Sequence, residues 1–102
     1  MKHAGSAALG ALEDLLIELR SLPELRERKR GVFYCASVAF LHFHEDPSGL
    51  YADVKKAGDF IRLRVNSDAE RRALVTLVRA TCASQASAGK PQPRRLGSRR
   101  PK

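Results

Sequence analysis

Leucines at 9, 12, 16 and 19 recur at helical spacing, and Glu13, Asp14, Glu18 and Arg20 lie mostly off that stripe. This period predicts an amphipathic helix over residues 6–21 with Ser6 as N-cap. Pro23 disfavours helical geometry at Leu22. Ser21-Leu22-Pro23-Glu24 then has the form of a capping box with proline in the first turn. A break and a short second helical turn, Pro23 to about Lys29, are expected, with Gly31 as the stop.

From Val32 to Asn66 the period falls to two, and β-branched and aromatic residues gather. Val32–Cys35 reads as a short strand and Val38–Glu45 as the strongest one, with Ala36-Ser37 a weak turn between them. One long bent strand over Val32–Glu45 is the alternative. Asp46-Pro47-Ser48-Gly49 matches a type I turn at each position. Leu50–Lys56 is the next strand, Ala57-Gly58 a turn, and Phe60–Asn66 the last strand. Ser67-Asp68-Ala69-Glu70 is a second capping box, opening a helix to about Ala83 with Leu74, Leu77, Val78 and Thr81 as its stripe. The expected fold is α+β: an N-terminal helix, an antiparallel meander of three to four strands, and a C-terminal helix packed on one sheet face. Residues 1–88 form the single domain and residues 89–102 a disordered basic tail.

The turn at Asp46–Gly49 implies a register. Phe43 faces Ala52, Leu41 faces Val54, His44 faces Tyr51 and His42 faces Asp53. A slip by one residue would set Phe43 opposite Asp53 and mix the two faces, so the pattern rejects it. Around Ala57-Gly58 the same reasoning pairs Val54 with Ile61 and Ala52 with Leu63. One face then collects Leu41, Phe43, Ala52, Val54, Ile61, Leu63 and Val65 as core. The other carries three rows: His44–Tyr51–Arg64, His42–Asp53–Arg62 and Phe40–Lys55–Phe60.

Composition narrows the function classes. The chain has 102 residues, 43% hydrophobic and 29% charged, enough for one globular domain and too few for a multidomain enzyme. No apolar run approaches the roughly 20 residues that cross a bilayer, and Met1-Lys2-His3, small residues and then Glu13-Asp14 lack a signal-peptide core. A cytoplasmic protein with no membrane partner is the expectation. The formal charge of +8 sits mostly beyond residue 88, where six basic residues and no acid occur; residues 1–88 hold 13 basic and 11 acidic groups. Arg94, Arg95, Arg99 and Arg100 of the tail offer salt-sensitive phosphate contacts or serve solubility alone. Cys35 and Cys82 lie in apolar surroundings without a CxxC motif, and in a cytosolic protein they read as reduced, buried small hydrophobes.

Three functional readings of the polar sheet face follow. Its rows stabilise the sheet as cross-strand pairs, with Phe40 and Phe60 packing under the N-terminal segment or marking an apolar patch buried by a homodimer mate or other subunit. Alternatively, Phe40, His42, His44, Tyr51, Asp53, Lys55, Phe60, Arg62 and Arg64 form a binding face for an anionic partner, nucleic acid first and acidic protein second. This binding-module reading leads, though no RNP-type motif accompanies it. In the third, His42-Phe43-His44 projects two imidazoles from one strand, with Asp53 across the pair and Asp46 on the same side. That set suits a divalent ion such as Zn or Mn with a position left for water, in a metal-binding protein or small metal-dependent hydrolase. His3 lies in a terminal segment expected to be mobile. Phosphate-loop, GxSxG and HExxH motifs are absent, and Glu45-Asp46 straddles both faces, which suits turn chemistry better than acid–base catalysis.

Overall fold

The computed structural model describes residues 2–88, with side chains to residue 84. The element order is β1 (Lys2–His3), α1 (Ser6–Ala11), α2 (Glu13–Arg20), β2 (Leu25–Lys29), β3 (Val32–Cys35), β4 (Val38–Asp46), β5 (Gly49–Lys56), β6 (Asp59–Arg64) and α3 (Asp68–Ala88). The strands form one antiparallel sheet in the order β2-β3-β4-β5-β6, and β1 pairs with the far end of β4. The α+β outline and the C-terminal helix packed on the sheet agree with the sequence pattern. The predicted tail lies outside the described residues.

A single core joins the leucine stripe of α1 and α2 to Leu74, Val75 and Val78 of α3 and to Phe33, Leu41, Phe43, Ala52 and Val54 of the sheet. Both helical layers therefore cover the same sheet face. The stripe is continuous, but the helix is not: Leu12, at φ −100° and ψ 8°, ends α1 and begins α2 while staying fully buried. Gly5, not Ser6, occupies the N-cap of α1, and its amide donates to Glu45 Oε2 at 2.6 Å. That bond and Ala4 N to Phe43 O at 3.0 Å tie the N-terminal segment to β4.

The expected helical turn from Pro23 to Lys29 is instead strand β2. One tight turn, Leu25 N to Leu22 O at 3.1 Å, carries the chain past Pro23. Leu25 then buries opposite Cys35, and the backbone of Arg26 and Glu27 pairs with Tyr34 and Phe33. A charged run on an edge strand resists further pairing while its backbone still hydrogen-bonds inward. Gly31, at φ 79°, therefore closes a hairpin rather than a helix.

Ala36 and Ser37 (φ 53° and 67°), like Ala57 and Gly58 (φ 53° and 90°), are left-handed, as two-residue hairpin turns of the primed types require. Val32–Glu45 is thus two strands. The β3–β4 register shifts so that Tyr34 faces Ala39 while Phe33 faces Leu41, leaving Phe40 as the extra residue of a bulge. Phe40 is fully buried in the core, which corrects its assignment to the polar face. Ile61 is also displaced from expectation: on edge strand β6 it is 37% exposed.

Cys35 and Cys82 are both buried, as expected, but they form a disulfide, with Cα atoms 6.0 Å apart. The reduced reading is corrected: a 47-residue separation says nothing of spatial distance, and α3 crosses β3 at bonding range. The second capping box forms as predicted, with Ser67 N donating to Glu70 Oε1 at 3.0 Å and Glu70 N to Ser67 Oγ at 3.1 Å. The helix it opens runs to Ala88, past Ala83, because no glycine or proline interrupts it before Gly89. No helix of the described residues is long and apolar enough to cross a membrane.

Two predictions follow. The crosslink closes a 47-residue separation, for which chain entropy gives about 4 kcal/mol. Urea unfolding with and without reductant, or of Cys82→Ser, should show a loss of about 2–4 kcal/mol. The amides of Asn66 and Ser67 hold the Glu70 carboxyl below its ordinary 4.5. That contribution is present above 4.5 and disappears as pH falls through the lowered value. Stability measured by urea unfolding should therefore fall less steeply with acid pH for Glu70→Gln than for the parent protein.

Candidate metal centre

The Asp46–Gly49 connection and the Ala57-Gly58 turn hold β4, β5 and β6 in one register. His42 lies opposite Asp53 and Asp53 opposite Arg62, while His44 lies opposite Tyr51 and Tyr51 opposite Arg64. Both expected polar rows are therefore present. Of the third row only Lys55 opposite Phe60 remains.

Asp53 is the hub. Arg62 grips it with two nitrogens, Nε to Oδ1 at 2.7 Å and Nη2 to Oδ2 at 2.8 Å. His44 Nε2 approaches Oδ2 at 3.0 Å and His42 Nε2 at 3.5 Å. Asp53 is 7% exposed and His44 8% exposed, an unusual burial for polar residues on the sheet face away from the helices. Neither Nδ1 nor Nε2 of His44 has a hydrogen-bond partner, because the contact with Asp53 is too poorly aligned to be one. An orphaned buried polar group costs about 1–3 kcal/mol, so its retention calls for an explanation.

The charge states suit a ligand set. Burial lowers the pKa of His42, and neighbouring His44 and His3 add to the effect against the pull of Asp53. Burial alone would raise that of Asp53, but the Arg62 fork and the nearby imidazoles outweigh it and hold the carboxyl below its usual range. Near neutral pH the group thus presents an uncharged His42 imidazole beside a carboxylate, the protonation states that metal binding requires. Donor atoms of His42, His44 and Asp53 all lie within 4.8 Å of one another. Ligands about 2.0–2.1 Å from a tetrahedral ion stand about 3.4 Å apart. The two contacts to Asp53, at 3.0 and 3.5 Å, are close to that, and the whole set spans up to 4.8 Å, which an ion would draw together.

The remaining predicted residues separate into distinct roles. Asp46 does not join the donor group; its Oδ2 accepts from Ser48 N at 3.1 Å and Ser48 Oγ at 2.6 Å, which is turn chemistry. Tyr51 Oη contacts Ser48 Oγ at 2.6 Å and accepts from Arg64 Nη1 at 3.0 Å. Phe60 lies 5.0 Å from the His42 ring, and the Lys55 ammonium sits 5.4 Å from the centre of Phe60. Arg94, Arg95, Arg99 and Arg100 lie outside the described residues.

His3 is the residue that sequence reasoning missed. Strand β1 pairs it with His44, and its ring stands 4.7 Å from His44 and 5.6 Å from His42. A two-residue strand has no readable period, so only a third histidine in the chain hinted at it. Neither a family model, a curated protein nor a solved structure matches the chain. The class that fold and site together define is a small α+β domain with a His/Asp group on its open sheet face.

Replacing Asp53 with Asn keeps its shape while removing the charged partner of Arg62 and the histidines. Chemical denaturation should show a loss of about 1–3 kcal/mol; a variant as stable as the parent would mean that the fork has no structural role.

Proposed function

We propose that the protein is a divalent-metal-binding module, with His42 Nε2, one nitrogen of His44 and a carboxylate oxygen of Asp53 as ligands. The observation that carries this reading is the buried His44 imidazole with no hydrogen-bond partner on either nitrogen, set beside a carboxylate and a second imidazole. An ion gives His44 its missing partner. Arg62, donating to Asp53 Oδ1, then acts as the outer partner that orients a ligating carboxylate. Two imidazoles and one carboxylate are a donor set that catalytic Zn²⁺ sites use, and Mn²⁺ is the second candidate. Three protein ligands leave a position for water, the arrangement that metal-dependent hydrolysis uses.

An anionic macromolecule such as nucleic acid on the same face has less support. Arg62 is committed to Asp53, Arg64 lies 3.7 Å from Glu70, and Phe40 is in the core. The homodimer reading retains Phe60 alone, at 42% exposure.

The test uses the untagged full chain, stripped with EDTA and titrated with Zn²⁺ by calorimetry and thermal unfolding. One equivalent should bind and raise the unfolding temperature, as any ligand selective for the native state does. His42→Ala and His44→Ala should each weaken binding at least tenfold, and His3→Ala should do so less. Absence of a thermal shift with Zn²⁺, Mn²⁺ and Ni²⁺, together with a metal-free elemental analysis, would overturn the proposal.

A further inference from the structure

On the flank of the donor group, a cavity of about 340 Å³ opens between the N-terminal segment and the β2–β3 hairpin. Its apolar wall is Leu9, Val32 and Phe43, and its polar wall is His3, Lys29, Arg30 and His42. Two histidines, a lysine and an arginine line it, and no carboxylate does. The cleft between α2 and α3 differs, mixing Asp14, Glu18 and Asp68 with Arg71 and Arg72.

The rim is held in place. Arg30 Nη2 bonds Glu13 Oε1 at 3.1 Å, Arg20 joins Glu13 to Glu27, and Glu27 Oε2 accepts from Gly31 N at 2.9 Å. Two arginines and two glutamates cancel in that chain. Lys29 has no ion pair among the described residues and is the uncompensated cation of the rim. Gly31 lets the hairpin approach the wall: at φ 79° a Cβ there would stand 2.6 Å from Leu9 Cδ2.

We infer that this cavity binds a small organic anion, its apolar body against Val32 and Leu9, over the backbone of Ala4 and Phe43, and its phosphate or carboxylate group at Lys29 and the free donors of Arg30. The volume is at the small end of ligand pockets, about 300–1,000 Å³, and admits a ring-sized molecule. His42 is both a wall of the cavity and a member of the donor group, so an occupant lies beside the proposed metal. The inference goes beyond the metal reading and holds without the ion.

The experiment therefore uses EDTA-stripped full-length protein, with amide chemical shifts followed during titration with phenyl phosphate, benzoate, inorganic phosphate and phenol. Phenyl phosphate or benzoate should saturate shifts at Ala4, Val32 and Phe43, and whichever binds tighter identifies the anionic group. Phenol should bind at least tenfold more weakly. Lys29→Glu should lose tenfold or more in affinity and Lys29→Gln an intermediate amount; both changes are on an exposed edge-strand side chain, and an unchanged amide spectrum checks folding. The inference is overturned by equal affinity for phenol, by an unaltered Kd in Lys29→Glu, or by shifts that avoid these three residues. Each of those results leaves the zinc titration of the stripped protein as a separate measurement.

Discussion

The register between β4 and β5 is the constraint on which the rest of the structure depends. With Phe43 opposite Ala52 and Leu41 opposite Val54, the core face is apolar without interruption, and the same pairing sets Asp53 opposite His42. Strand alternation makes the two consequences inseparable: a slip by one residue would bury Asp53 under the helices and turn Val54 outward. The hydrophobic effect thus positions the polar group indirectly, by selecting one pairing from several. The Asp46–Gly49 turn, held by the Asp46–Ser48 contacts, enforces it, and the two turns with left-handed central residues set the flanking β3–β4 and β5–β6 pairings.

On that frame Asp53 is a focus of competing charges. Arg62 satisfies both carboxylate oxygens, and the two histidines crowd Oδ2, His44 with no aligned hydrogen bond. A sheet that needed only cross-strand ion pairing would be complete with Asp53 and Arg62. The imidazoles of His42 and His44, 4.8 Å apart, and that of His3 beside them exceed that need. Of the three, His44 is buried with no hydrogen-bond partner on either nitrogen, and that is what the proposed ion would account for. The cavity flanking His42, with Lys29 at its rim, is where the proposed anion would lie beside the donor group.

Much of this arrangement was legible in the sequence, and the failures have identifiable causes. Alternation over Leu41–Val54 and the Asp46–Gly49 turn determined the central register because a buried face penalises every slip. The Ser67/Glu70 box was readable because its two hydrogen bonds join residues three apart. Strand β2 was not readable: Pro23, Glu24 and the charges after Leu25 carry local helix-start signals, whereas the pairing to β3 that overrides them is tertiary. Phe40 was misplaced because a bulge inserts one residue and reverses the faces beyond it, with no local signature in Val38–Leu41. The Cys35–Cys82 bond and the approach of His3 to His44 both join distant segments, which periodicity does not reach.

The most direct measurement of the central claim is X-ray absorption at the zinc edge of the Zn²⁺-loaded protein, compared with His44→Ala. Scattering from two imidazoles and at least one oxygen at about 2.0–2.2 Å, falling to a single imidazole in the variant, is the predicted result. A bound ion with an unchanged imidazole count in the variant would contradict it, and so would coordination by sulfur.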